Sequence, residues 1–276
     1  ILIVSKVCII GGCGFLGSHL ADYLIEKSHQ VLVIDIRKEP FLNDSCQFQQ
    51  IDILDFEELT RSIKGFDYVY NFAGISDLNQ ALLKPLETVK LNILGNVNIL
   101  EACRLNNIKH YIFASSIYVY SREGGFYRCS KQSSEIYIEE YFKKFNLNYT
   151  ILRFGSLYGP RSNHENGLYR IVKEAIINKK ISYQGDKNSL REYIHVFDAV
   201  KSTAEVLNGN FVNKCVIITG QQSIKVFDVL NMLKEILGYK NQVKFKENKQ
   251  IGHYVATPYA YYEKVSVKYV PSTYID

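Results

Sequence analysis

Three side chains in the middle of the chain have the types and spacing of an acid–base centre. Tyr127 and Lys131 stand four residues apart, which on a helix projects both from one face about one turn apart. An ammonium beside a phenol favours the phenolate, and that makes a tyrosine usable as a base near neutral pH. The pattern Tyr-x-x-x-Lys carries little weight alone, because Tyr23 with Lys27 and Tyr183 with Lys187 repeat it. Its default meaning is an exposed helix face. Position adds the weight. Ser115 and Ser116 close a short apolar run beginning at Tyr111, and ligands of open α/β sheets bind at the carboxyl ends of strands. A hydroxyl there can hold a substrate oxygen against Tyr127, whereas without those partners it would be a helix cap or a strand-end turn.

A second constellation opens the chain. The run Lys6 to Ile10 passes directly into Gly11-Gly12-Cys13-Gly14-Phe15-Leu16-Gly17, with glycines 11, 14 and 17 in the spacing GxxGxxG. Backbone without Cβ atoms lets amides and a helix N-terminus approach a pyrophosphate, and Gly17 lets the helix pack on the strand. A glycine set alone is as well explained by a plain turn; the strand–loop–helix setting makes it a dinucleotide fingerprint. The next strand ends at Asp35, eighteen residues beyond Gly17, where a carboxylate accepts both ribose hydroxyls and repels a 2′-phosphate. NAD is therefore expected over NADP, with Arg37 and Lys38 nearby as the residues that would accommodate the extra phosphate.

These residues need a scaffold that brings strand ends together. Short runs rich in Val, Ile and Tyr alternate with helical patterns, which predicts an α/β fold: a doubly wound parallel sheet of Rossmann type with a smaller α/β substrate-binding lobe. Strands are expected at Lys6 to Ile10, Val31 to Ile36, Tyr68 to Asn71, Tyr111 to Ser115 and Tyr149 to Arg153, with a shorter one ending at Gln50. Helices are expected at Phe15 to Lys27, Lys84 to Leu105 and about Lys131 to Phe145, where apolar residues recur at three and four. Beyond Arg153 the glycines at 155, 159 and 167 break the pattern. Val196 to Leu207 then reads as a helix and Cys215 to Ile218 as a returning strand. Residues 1–156 and 196–222 are thus assigned to the cofactor domain, and 157–195 and 223–276 to the substrate lobe.

Bulk composition narrows the class. The chain has 276 residues, 47% hydrophobic and 22% charged, with a net charge of +5, enough to bury a full core. Its lysines, densest at 179–180 and 240–246, are interrupted by apolar residues, which argues against a nucleic-acid stripe and for mild attraction of small anions. Six cysteines without a CxxC pair fit buried thiols in a reducing compartment, so a cytoplasmic protein without metal is expected. No apolar run approaches a membrane span, and Ile1 to Val4 is too short for a signal segment. Because it opens on Ile and ends abruptly at Asp276, the chain is expected to lack native terminal residues.

The motifs Ile10 to Gly17, Asp52-Ile53, Ser115-Ser116-Ile117-Tyr118-Val119-Tyr120, Tyr127-Arg128-Cys129-Ser130-Lys131, Leu157-Tyr158-Gly159-Pro160-Arg161 and Arg191-Glu192-Tyr193-Ile194-His195-Val196 occur in that order. Together they resemble the extended short-chain dehydrogenase/reductases, closest to the nucleotide-sugar epimerases and dehydratases such as UDP-glucose 4-epimerase-like enzymes, from Lys6 to about Leu207. The resemblance implies that Asp52 and Ile53 flank the adenine and that Lys84 and Asn92 approach phosphates and ribose. It adds Ile36, Phe72, Ala73 and Gly74, with Phe15 and Leu16, to the cofactor contacts, and implies that Lys131 also binds nicotinamide ribose. Ser116 is the catalytic hydroxyl by its place four residues before Tyr120. Ser115, Ser116, Ser156 and Arg191 are implied at the substrate, the arginine as a planar donor to a diphosphate or ribose.

Departures from the family pattern choose among its chemistries. The 4,6-dehydratases typically carry Asp-Glu after the catalytic hydroxyl, whereas this chain has Ile117-Tyr118, which cannot shuttle protons in that role. Only ten residues separate Ser116 from Tyr127, with Gly124-Gly125 marking a tight reversal; this implies an open pocket. Ser156 stands where relatives carry a substrate-binding Asn. No second arginine follows Arg191, which leaves Lys244, Lys246 or His253 to replace it. The expected function is NAD-dependent oxidation and reduction at the C4 hydroxyl of a nucleotide-diphosphate sugar, with 4-epimerisation as the net reaction. A net dehydrogenase or ketoreductase is the alternative, and a dehydratase or a non-catalytic NAD-binding regulator ranks lower. A homodimer is expected through the helices at Lys84 to Leu105 and Lys131 to Phe145, by analogy with the family.

Overall fold

In the computed structural model, which describes residues 4–240, 243–246, 253–255 and 266–269, the apolar runs of the first two-thirds become parallel strands. They are β1 (Lys6–Ile10), β2 (Gln30–Asp35), β3 (Gln47–Gln50), β4 (Tyr68–Asn71), β5 (His110–Ser116) and β6 (Tyr149–Phe154). Later come β7 (Ser156–Tyr158), β8 (Ser182–Gln184), β9 (Leu190–Arg191), β10 (Tyr193–His195), β11 (Lys214–Ile218), β12 (Ile224–Lys225), β13 (Lys244–Lys246) and β14 (Ser266–Tyr269). One sheet runs β14-β11-β6-β5-β4-β1-β2-β3, parallel at every pairing. Strands such as β1 and β6 are almost wholly buried, as expected of a sheet covered on both faces.

The covering helices are α1 (Phe15–Glu26), α2 (Phe56–Ser62), α3 (Leu78–Leu83), α4 (Pro85–Thr88), α5 (Gly95–Leu105), α6 (Gly125–Phe145), α7 (Gly167–Asn178), α8 (Val196–Ala204) and α9 (Val226–Ile236). On one face Leu16, Leu20 and Leu24 of α1 join Val196, Ala199 and Val200 of α8. On the other, Leu59 of α2, Ile99, Leu100 and Cys103 of α5 and Ile138 of α6 close the second layer. Ala175, Ile181, Val226 and Leu230 form a separate apolar cluster linking α7, α9 and the β8–β13 pair.

The chain runs outward from β1 to β3, then returns to β4 on the other side of β1. That reversal opens a crevice at the carboxyl ends of β1 and β4, the usual ligand position of such sheets. Two helices differ from the sequence expectation. The expected helix from Lys84 to Leu105 is α4, a π-helical turn at Val89–Leu94 and α5. Lys84 precedes Pro85 and cannot stay in the α region, so it breaks the path between α3 and α4. The helix expected from about Lys131 begins at Gly125, because Gly124 and Gly125 both take positive φ, 97° and 48°, and turn the chain directly into α6. Helices α2, α3, α7 and α9 lie where no helix was expected.

Candidate active site

The glycine loop leaves β1 with no room for side chains. Gly11 has φ 74°, and a Cβ on it would lie 2.5 Å from the Ala73 nitrogen. A Cβ on Gly17 would lie 2.6 Å from the Gly11 oxygen, so α1 starts pressed onto the loop. No side chain caps α1 at Gly14, which leaves its first-turn amides for an anion. The Asp35 carboxylate accepts from the Cys13 nitrogen at 3.0 Å and the Ile36 nitrogen at 2.8 Å. Burial raises its pKa despite those amides. Arg37, largely exposed, pairs with Glu39 at 2.7 Å.

Next to the loop, the end of β4 carries Phe72, Ala73 and Gly74, with the Phe72 nitrogen donating to the Ile10 oxygen at 2.8 Å. Asp52 is exposed and accepts from the Leu54 nitrogen at 2.9 Å, while Ile53 is buried beside Gly95. Asn92 and Lys84, the residues expected at phosphates and ribose, have these partners within the protein. Asn92 sits in the π turn, where its amide oxygen accepts from the Ile75 nitrogen at 2.7 Å and its nitrogen donates to the Ile75 oxygen and the Ser130 hydroxyl. It braces the loop after β4 against α6. Lys84 is half exposed and pairs with Glu87 at 3.0 Å.

At the end of β5 the three catalytic candidates come together. The Ser116 hydroxyl stands beside the Tyr127 phenol, whose pKa it lowers, and accepts from the Tyr118 nitrogen at 3.3 Å. Lys131 Nζ donates to the Ala114 oxygen at 2.8 Å and lies 5.8 Å from the centre of the Tyr127 ring. All three are buried. Burial pushes the phenol up to about 12, against a lowering by Ser116. It also brings Lys131 down to about 8, with Glu135 acting in the opposite direction. Desolvation therefore dominates the phenol in the protein alone, and the group that lowers it is Ser116 rather than the Lys131 ammonium.

The substrate candidates are redistributed. Ser115 turns away and donates to Glu135 at 2.5 Å, because it follows Ala114 on the opposite face of the strand from Ser116. Arg191 is buried, donates to the Leu190 and Tyr254 oxygens at 2.8 Å and lies 4.6 Å from the Tyr254 ring centre. Ser156 stands beside the Tyr254 phenol, whose pKa it lowers against the raising effect of burial. Of the three candidates for a second cation, His253 reaches the site, with its Nδ1 2.7 Å from the Tyr118 hydroxyl; burial lowers its pKa to about 4. Lys244 is exposed on β13, and the side chain of Lys246 lies outside the described residues. Tyr118 stands edge-on to Tyr127, ring centres 6.2 Å apart, where the dehydratase pattern has a carboxyl.

This strand-end crevice agrees with a wider match, in which the model of the NAD dependent epimerase/dehydratase family covers residues 7–214. The chain belongs to this family. An uncharacterized UDP-glucose epimerase, YtcB, of Bacillus subtilis (strain 168) is 27% identical over 269 residues, 88% of this chain and 85% of that protein. The solved UDP-glucose 4-epimerase of Thermotoga maritima with UDP-glucose has a TM-score of 0.83 at 28% identity, covering 91% of this chain and 88% of its own. The UDP-glucuronic acid 4-epimerase of Bacillus cereus, in complex with UDP-glucuronic acid and NAD, also gives 0.83, at 26% identity with 91% and 89% covered. The expectation of an NAD-dependent epimerase/dehydratase-type enzyme on a Rossmann-like sheet agrees with membership of the family. The glycine cradle and the uncapped start of α1 fit NAD: Gly11, Gly14 and Gly17 would admit its pyrophosphate and Asp35 its ribose.

Sequence reasoning missed the polar groups behind this family site. Glu135 and Arg153 form a buried ion pair at 2.5 Å, with side chains 9% and 5% exposed. Arg153 also donates to the Tyr120 hydroxyl at 2.5 Å. The signal was present: an arginine inside Thr150-Ile151-Leu152-Arg153-Phe154 is a charge in a strand buried on both faces, and it requires a counter-charge. Which carboxylate answers it is a tertiary matter.

Proposed function

We propose that this chain is an NAD-dependent 4-epimerase of a UDP-sugar, or of a closely similar nucleotide-diphosphate sugar. One observation carries the reading: the Ser116 hydroxyl beside the Tyr127 phenol, with Lys131 on the same helix face and held on the Ala114 oxygen, at the end of β5. NAD, which the glycine loop and Asp35 would hold, would supply the hydride acceptor and donor for C4. Tyr127 receives the C4 hydroxyl proton and gives it back, Ser116 holds that oxygen, and Lys131 balances the phenolate charge. The relatives named for UDP-glucose and UDP-glucuronic acid 4-epimerases support the substrate class. Ile117 and Tyr118 in place of a carboxyl pair disfavour dehydration, since neither exchanges a proton readily at neutral pH.

The lobe of residues 157–195 and 223–276 receives the sugar nucleotide in this reading, except that β14 joins the main sheet beside β11, and the cofactor stays with 1–156 and 196–222. A homodimer belongs to this reading, supported by apolar side chains left open on adjoining helices. Leu86 is 67% exposed and Ile136 on α6 63%, with Val89, Leu94 and Tyr137 also exposed, an apolar surface of the kind that marks an interface. No helix among the described residues is long and apolar enough to cross a membrane. Incubation of the NAD-loaded protein with UDP-glucose, UDP-glucuronic acid and their N-acetylated counterparts tests the reaction. Formation of the C4 epimer without net NADH is expected; lasting accumulation of NADH identifies a dehydrogenase instead.

A further inference from the structure

Behind the Tyr127–Lys131 face of α6 lies a polar group that the proposed chemistry leaves unused. Glu135 sits one turn beyond Lys131 on the same helix and therefore on the same face. Its Oε1 accepts from the Ser115 hydroxyl at 2.5 Å and from Arg153 Nε at 3.0 Å, and its Oε2 from the Arg153 terminal nitrogen at 2.5 Å. Arg153 reaches onward to Tyr120, whose ring centre lies 4.7 Å from the guanidinium carbon. Ser115 and Arg153 face each other across the β5–β6 pairing. The network therefore ties together α6, both strand ends and the turn that follows Ser116.

A buried ion pair brings little net stability, because desolvating both charges costs about what their attraction returns. Its retention beside an acid–base centre calls for another role. We propose that Glu135, held by Arg153 and Ser115, is a positioning residue of this site: it fixes the end of β5 that carries Ser116 and supplies the counter-charge to Lys131. The inference rests on the reading of Ser116, Tyr127 and Lys131 given above. Among the described residues Glu135 is the one charge acting on Lys131. The other groups against it are the Phe113 ring, with its centre 4.7 Å from Nζ, the Ala114 carbonyl and the Tyr127 ring, none of them charged at neutral pH. Arg153 is held by Glu135 and Tyr120 and is not among the charges acting on Lys131.

The test is a titration of Lys131 in the full chain by NMR of 13C-labelled lysine, the resonance assigned by its loss in Lys131→Met. The native midpoint is expected near 8. In Glu135→Gln it should fall by about one pH unit or more, and in Glu135→Asp, which keeps the charge, it should stay near the native value. Glu135→Gln strands the Arg153 charge and is at risk of unfolding. The double variant Glu135→Gln/Arg153→Gln removes both charges, and its Lys131 midpoint should fall as well. An unchanged midpoint in a folded neutral variant overturns the inference and leaves the pair a structural brace. The titration needs neither sugar nor cofactor, so its failure is separable from failure of the epimerase reading. With a confirmed substrate, the alkaline limb of the activity profile should move to lower pH in Glu135→Gln and stay in place in Glu135→Asp.

Discussion

Gly17→Ala tests whether the dinucleotide loop depends on backbone contact. The added Cβ would stand 2.6 Å from the Gly11 oxygen and 2.8 Å from the Gly12 Cα. Both are backbone atoms of a loop fixed by the Gly11 nitrogen on the Ile34 oxygen at 2.8 Å, so no flexible side chain can yield and α1 must move off the loop. Overpacking of this kind costs about 1–3 kcal/mol. In a domain of this size each kcal/mol lowers Tm by roughly 2–4 °C, so a loss of at least a few degrees is expected. Because the displaced helix carries the amides that meet the pyrophosphate, NAD affinity should fall together with Tm. Gly14→Ala is the control: its Cβ meets only the Gly11 oxygen, at 3.2 Å, and its φ of −74° suits any residue. Tm should change little there, while the methyl enters the space before the helix end and weakens NAD binding alone. Calorimetric titration with NAD and thermal unfolding by circular dichroism read both quantities. Native Tm and native affinity in Gly17→Ala would refute the argument.

Tyr127→Phe keeps the buried ring and removes the hydroxyl beside Ser116; turnover should drop by about 10²–10⁴-fold with NAD content unchanged. Turnover surviving at native level would remove Tyr127 as the acid–base residue, whereas unchanged biological activity with NAD still bound and no turnover would favour a non-catalytic NAD-binding regulator. His110 is buried on β5 with its Nε2 2.8 Å from the Thr150 hydroxyl, and burial lowers its pKa to about 4. The unfolded chain then binds the extra proton between roughly pH 6.5 and 4, so stability falls as pH drops through that window, by roughly 3 kcal/mol from this group. Urea unfolding at pH 7 and 4.5 should show a smaller acid loss in His110→Gln, and an identical loss would remove His110 as its source. Leu94→Glu combined with Ile136→Glu should give a monomeric mass by light scattering where the unaltered chain gives a dimer; a dimer that persists in the variant displaces the interface to another surface.

Local sequence determined the reacting groups and the strands that carry them. A fully buried parallel strand must be nearly all apolar, and a glycine loop between strand and helix has few structural meanings. Lys6–Ile10 and Tyr68–Asn71 therefore coincide with their observed strands, and the four-residue spacing of Tyr127 and Lys131 placed both on one face of α6. Short or broken helices were less legible. The six residues of α3 are too few for a clear period, and Pro85 with the π turn at Val89–Leu94 interrupts a pattern that periodicity had joined into one helix. Tertiary structure alone decided the rest, because each outcome depends on which distant group is opposite. Ser115 turns to Glu135, Arg191 is taken up by Tyr254, Asn92 by Ile75 and Ser130, and the Tyr127 phenol is raised by burial. Spacing along a chain sets the face on which a side chain emerges; the partners it finds there, and the water it loses, follow from packing between segments far apart in sequence.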